Sequence, residues 1–163
     1  MLDGVLVGFV PTIPGSEDFD EDAVVEALMR SGCVPGRTLN LLHRVIEKAA
    51  EAKTGGAKRF CIVTSGRRAA KGEIERIAVM VAEVRAMGLL PCATLGLLGK
   101  EELLLLKEAG LERFHHNIET SERFFPAICS SHTYRDKLRT IEAAKAAGIS
   151  LCSGGIFGLG EEW

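Results

Sequence analysis

With 163 residues, 47% hydrophobic and 26% charged, the chain has the size and make-up of a single globular domain with a sizeable core. A net charge of −2 and the lack of any long basic run give no electrostatic case for nucleic acid or an anionic membrane. The opening MLDGVLVGFV is too short to span a bilayer and lacks the basic start of a signal peptide, so a cytoplasmic protein is expected.

In chain order, Val5 to Val10 reads as a strand, PTIPGSEDFD (11–20) as a loop and EDAVVEALMRSG (21–32) as a helix. CVPGRT reads as a turn, and LNLLHRVIEKAAEA (39–52) as a helix with Leu42, Val45, Ile46 and Ala49 on one side. From Lys58 the pattern becomes regular. RFCIVTSG (59–66) is a strand, and GEIERIAVMVAEVRAMG (72–88) is a helix with Ile74, Ile77, Val81 and Val84 at helical spacing. Met80 and Met87 fall in that helix's core, and Gly88 sits where a C-terminal cap belongs. LLPCATLG (89–96), FHHNIET (114–120) and ISLCSGGIFG (149–158) are the later strands. KEELLLLKEAG (100–110) is a helix, SERFFPAI a short helical turn, and TYRDKLRTIEAAKAAG (133–148) a helix opened by a Thr133–Asp136 capping box.

Strand-to-strand steps of about 25–35 residues, each enclosing a helix, are βα units and imply a parallel sheet. Residues 1–57 read as an atypical N-terminal segment with helices, and 58–163 as the βα units. Alternation alone leaves a closed barrel and an open doubly wound sheet undecided.

Side chains alternate faces along a strand. Phe60, Ile62, Ala93, Leu95, Phe114, Ile118 and Leu151 share one parity and should meet the helices. The opposite parity then carries Arg59, Cys61, Cys92, Thr94, His115, Asn117, Glu119, Ser150 and Cys152. Unpaired buried polar groups cost on the order of 1–3 kcal/mol each, so something polar has to meet that face. The five cysteines, at 33, 61, 92, 129 and 152, show no CxxC spacing. Three of them on one parity of parallel strands point to a soft metal, either zinc or an iron–sulfur cluster. Arg59 favours the cluster, because thiolate-ligated clusters carry net negative charge. Cys129 and His132 read as structural loop residues, and His116 as a hydrogen-bonded residue under a helix. Trp163 ends the sequence without a role of its own.

Four segments together, RFCIVTSGR (59–67), PCATLGLL (91–98), FHHNIETS (114–121) and LCSGGIFGLGE (151–161), resemble the biotin synthase family in order and spacing. The resemblance runs from about Lys48 to Glu161. It implies an α/β fold that is part of a (β/α)8 barrel: about half, four to five parallel strands with helices outside. It also implies radical S-adenosylmethionine chemistry that inserts sulfur into dethiobiotin. By resemblance, Cys61, Cys92 and Cys152 match the cysteines that hold an auxiliary [2Fe–2S] cluster, with Arg59 as its neighbour. Asn117 and Glu119 match positions at the ribose of S-adenosylmethionine, Asn117 also lying close to dethiobiotin. Gly154, Ile156, Gly158 and Glu161 match the GxIxGxxE pattern beside adenine.

The family's CxxxCxxC loop for the radical-generating [4Fe–4S] cluster has no counterpart, since SGCVPGRTLNLLHR contains only Cys33. An inactive chain is therefore expected. The alternatives are a non-catalytic half-barrel that assembles through its open sheet edge, or another radical S-adenosylmethionine enzyme. An ordinary nucleotide-binding α/β protein using GGIFGLG is discounted, because the spacing is neither GxGxxG nor a P-loop.

Overall fold

The computed structural model describes residues 5–10, 36–69 and 71–162. The loop at 11–20, the helix expected at 21–32, Cys33 and Trp163 lie outside the described residues. In order, the elements are β1 (Val5–Val10), α1 (Gly36–Thr54), β2 (Arg59–Thr64), α2 (Lys71–Ala86) and β3 (Leu90–Thr94). There follow α3 (Lys100–Glu108), β4 (Arg113–His115), α4 (Phe125–Ile128), α5 (Tyr134–Ala146) and β5 (Ser150–Cys152). They form one sheet in the order β1-β2-β3-β4-β5. No helix among the described residues is long and apolar enough to cross a membrane.

Strands β2 to β5 are parallel, each joined to the next through a helix, as βα units require. β1 departs from the all-parallel expectation and pairs antiparallel with β2, from Val5 opposite Thr64 to Val10 opposite Arg59. Its sequence, VLVGFV, is apolar at both parities. Periodicity therefore marks it as a strand without fixing its direction. α1 begins at Gly36, inside the stretch read as a turn.

The helices stop by a repeated local device. At the end of α5, Gly148 at φ 68° donates to Lys145 O, and Ile149 donates to Ala144 O. This paired closure satisfies carbonyls that the last turn leaves open, and it needs a left-handed residue at Gly148. The same two-bond pattern ends α1, α2 and α3, and the residue after each glycine, Ala57, Leu89 or Leu111, is buried like Ile149. The closure thus turns the chain and starts the next strand in the core. At the other end of α5 the capping box is present: Asp136 N donates to Thr133 Oγ1, and Thr133 N to Asp136 Oδ2.

The apolar parity packs as alternation requires. Phe60, Ile62, Ala93 and Phe114 are buried against α1, α2, α3 and α5 in one continuous core, with Val45, Ile46, Val81, Val84, Leu103, Leu106 and Ala144. Burying one such large side chain stabilises by roughly 2 kcal/mol, enough to fix which face of the sheet the helices cover.

Gly96 marks the tightest backbone approach above β3. It sits at φ 72° in an isolated bridge to Arg68, and a Cβ there would stand 2.4 Å from Arg67 O. Gly96→Ala is expected to destabilise by about 2 kcal/mol, since backbone rather than a flexible side chain must move. Gly72→Ala, with no atom near its Cβ, should be neutral or slightly stabilising; urea midpoints of the two variants make the comparison.

Candidate active site

The sheet face away from the helices carries the polar parity in two levels. The lower level runs Cys61, Cys92, Arg113 and Ser150 across β2 to β5, each the register partner of the next. Cys152 stands one level higher, beside His115. The structure therefore brings Cys61 and Cys92 together and sets Cys152 apart on the same face. Among the described residues no three His, Cys, Asp or Glu side chains group as metal ligands. Cys61 and Cys92 are thus direct register neighbours, and Cys152 lies on the same face one level above them.

Cys61 and Cys92, opposite each other in the β2–β3 register, ionise as a coupled pair. The hydrogen bond with Cys92 draws the Cys61 thiol down to about 7. Desolvation opposes that shift, while Thr94, at 3.8 Å, and the Arg59 charge assist it. The same bond, with burial, pushes Cys92 upward. One thiolate thus forms readily and the second resists, as expected of close like-charge sites. Arg59 Nη1 donates to Glu112 Oε2, which holds that carboxyl below its usual range. Arg113 Nε is buried with no hydrogen-bond partner.

Above the thiols, β4 and β5 stay hydrogen-bonded past their regular ends. His116 N donates to Cys152 O, Ile118 N to Gly154 O, and Ile156 N to Glu119 O at 2.6 Å. The expected strands at 114–120 and 149–158 shorten to Arg113–His115 and Ser150–Cys152. Glu119, at φ 67°, and the glycines opposite it break the regular pleat. This irregular ladder sets Asn117 and Glu119 against Gly154 to Ile156. A Cβ on Gly155 would come 3.0 Å from Glu119 O, so the close approach belongs to Gly155, which the family pattern does not name.

Glu161 folds back and accepts from Gly158 N at 2.6 Å and Leu159 N at 2.8 Å. Its carboxyl is held below its usual range by those bonds, Gly158's first. It braces the loop that leaves Ile156 and Phe157 exposed, at 54% and 81%.

Lys137 locks this end of the site. It projects from the first turns of α5, is only 8% exposed, and donates to Glu119 Oε1 at 2.7 Å and Asn117 O at 3.0 Å. His116 is buried at 4% as expected and stacks on Phe114, with ring centroids 5.8 Å apart. The expected side-chain hydrogen bond is not made at Nε2, which is buried without a partner.

Lys137 and Arg113 were not anticipated from sequence. Lys137 shares its face of α5 with buried Thr140 and Ala144, a helical spacing that marked it as inward-facing. Arg113 was missed because the strand begins one residue earlier than its apolar run.

Residues 29–163 match the family model described as the Radical SAM superfamily, so the chain belongs to that superfamily. Within it, a biotin synthase from Thermodesulfovibrio yellowstonii is 50% identical over 119 residues, covering 73% of this chain and 38% of that protein. A biotin synthase from Thermotoga neapolitana is 49% identical over 120 residues, covering 73% and 43% respectively. The chain thus spans about two fifths of the relatives it matches. The crystal structure of a methylornithine synthase aligns with a TM-score of 0.51 at 20% identity, covering 56% of this chain and 28% of that one. That likeness supports the fold: four parallel strands with helices outside form part of a TIM-type barrel.

Proposed function

We propose that these residues are the substrate- and sulfur-side portion of a biotin-synthase-type site. The observation that carries it is the irregular β4–β5 ladder, which holds Asn117 and Glu119 beside Gly154 to Ile156 above the Cys61–Cys92 pair. On this reading Asn117 and Glu119 bind the ribose of S-adenosylmethionine. Gly154, Ile156 and Gly158 offer backbone to its adenine, with Glu161 bracing their loop. Cys61 and Cys92 hold two positions of an auxiliary [2Fe–2S] cluster, with Cys152 as the third ligand and Arg59 close by. Dethiobiotin is the substrate, lying near Asn117. The chemistry supplied at such a site is hydrogen abstraction by a 5′-deoxyadenosyl radical, followed by carbon–sulfur bond formation. These 163 residues contain no CxxxCxxC, so they hold no set of ligands for the radical-generating [4Fe–4S] cluster and do not start the radical by themselves.

Binding and turnover separate the two halves of this proposal. S-Adenosylmethionine should bind by calorimetry, and Asn117→Ala should weaken it about tenfold through a lost hydrogen bond. With iron, sulfide and a strong reductant under anaerobic conditions, no 5′-deoxyadenosine should form. Absence of binding sinks the site assignment; formation of 5′-deoxyadenosine sinks the inactivity.

A second reading, self-association, is favoured by the outer edge of β5, which pairs with no strand among the described residues and lies beside exposed Ile156 and Phe157. Sedimentation at micromolar concentration should then show a dimer that Phe157→Glu dissociates. A wild-type monomer rejects it.

A further inference from the structure

The loop between α4 and α5 holds a second group of reactive side chains that the proposed chemistry does not use. Cys129 Sγ lies 3.4 Å from His132 Nδ1 and 3.6 Å from Ser131 Oγ, and Ser131 Oγ is 2.9 Å from the same Nδ1. His132 is fixed edge-on against Phe125, with ring centroids 5.6 Å apart. A thiol within reach of an imidazole nitrogen, and of a hydroxyl that can donate to the thiolate once it forms, is an arrangement that favours its ionisation. Cys129 is half-buried rather than sealed in the core.

The surroundings point the same way. Desolvation, which opposes ionisation of Cys129, is outweighed by hydrogen bonds from Ser131 and the backbone of residues 131 and 132, with help from Lys137. Desolvation comes first in lowering the pKa of His132, with Lys137 and Arg67 adding to it against Asp136 and Glu119. The imidazole is therefore neutral at neutral pH and free to take a proton.

We infer that Cys129, with His132 and Ser131, is a thiol-exchange site at the rim of the barrel that takes small disulfides. In the step, the Cys129 thiol proton passes to His132 Nδ1 and Sγ bonds to one sulfur of the disulfide. The disulfide's own S–S bond breaks, and the leaving thiolate recovers the proton from the imidazole. One thiol and one disulfide become one thiol and one mixed disulfide, and the small disulfide is the oxidant. The adduct would sit on the loop that enters α5, close to Lys137 and Glu119.

Timed incubation with oxidised glutathione, followed by peptide mapping, tests this independently of any cluster or S-adenosylmethionine. Cys129 should be modified about tenfold faster than Cys152, although Cys152 is the more exposed thiol. His132→Asn should slow Cys129 about tenfold and leave Cys152 unchanged. Equal rates at Cys129 and Cys152, or no effect of His132→Asn, overturns the site. Should His132→Asn expose buried Cys92 to modification, the fold has moved, and the decision passes to Ser131→Ala, which must also slow Cys129.

Discussion

Lys137→Met should lower the unfolding free energy by about 3 kcal/mol, the low end for breaking a buried ion pair. The Lys137 side chain is 10% exposed and that of Glu119 31%, so the carboxylate left behind keeps some water and the cost stays below the fully buried case. Two bonds disappear at once, to Glu119 Oε1 and to Asn117 O. The second matters to the site, because Glu119 is held at φ 67° and its carbonyl accepts from Ile156 N. Without the ammonium, nothing on α5 pins that left-handed turn, and the upper ladder should loosen. Urea midpoints measure the loss, and hydrogen exchange at Ile156 N–H should quicken locally. Lys137→Met combined with Glu119→Gln removes both charges and should recover a large part of the stability. A single variant within about 0.5 kcal/mol of wild type would mean that the pair is only a surface contact.

The order of elements and the inward face were legible because both are written locally. Helical spacing at Ile74, Ile77, Val81 and Val84, a glycine after each helix and period-two alternation at Phe60 and Ile62 each depend on a few neighbouring residues. What alternation cannot give is level. It put Cys61, Cys92 and Cys152 on one face correctly, but the register of β4 against β5 sets Cys152 beside His115 and not in the row of the other two. Alternation excludes a slip of one residue, which would turn the apolar set outward, but a slip of two keeps the face and changes the level. The direction of β1 was hidden for a related reason, since an apolar run carries no sign of parallel or antiparallel pairing. Lys137 was obscured by residue type: a lysine near a helix start ordinarily belongs to solvent, and its burial goes with the partners Asn117 and Glu119 in the stretch after β4.

The stability of the chain should fall by about 2 kcal/mol between pH 7 and pH 5 through His116 alone. Its imidazole is lowered from 6.5 to about 4, first by desolvation and then by the Lys137 charge, with Glu119 opposing. Well above pH 6.5 neither folded nor unfolded chain holds a proton there, and pH has no effect through this group. Between 6.5 and 4 the unfolded chain binds a proton that the folded chain refuses, so unfolding becomes easier as pH falls. Below about 4 both states are protonated and the loss is complete. His132 is also lowered and adds a loss of the same sign, so the informative quantity is a difference between variants. The depressed carboxyls of Glu112, Asp136 and Glu161 lose their support only as pH falls through and below their ordinary range, beneath this window. His116→Phe keeps an aromatic ring against Phe114 and removes the titration. Its urea midpoint should therefore change markedly less from pH 7 to pH 5 than that of wild type. Equal slopes for the two would show that His116 takes up its proton in the folded chain. The ring would then have to move out from Phe114, and the packing beneath Asn117 and Glu119 would be looser than its burial indicates.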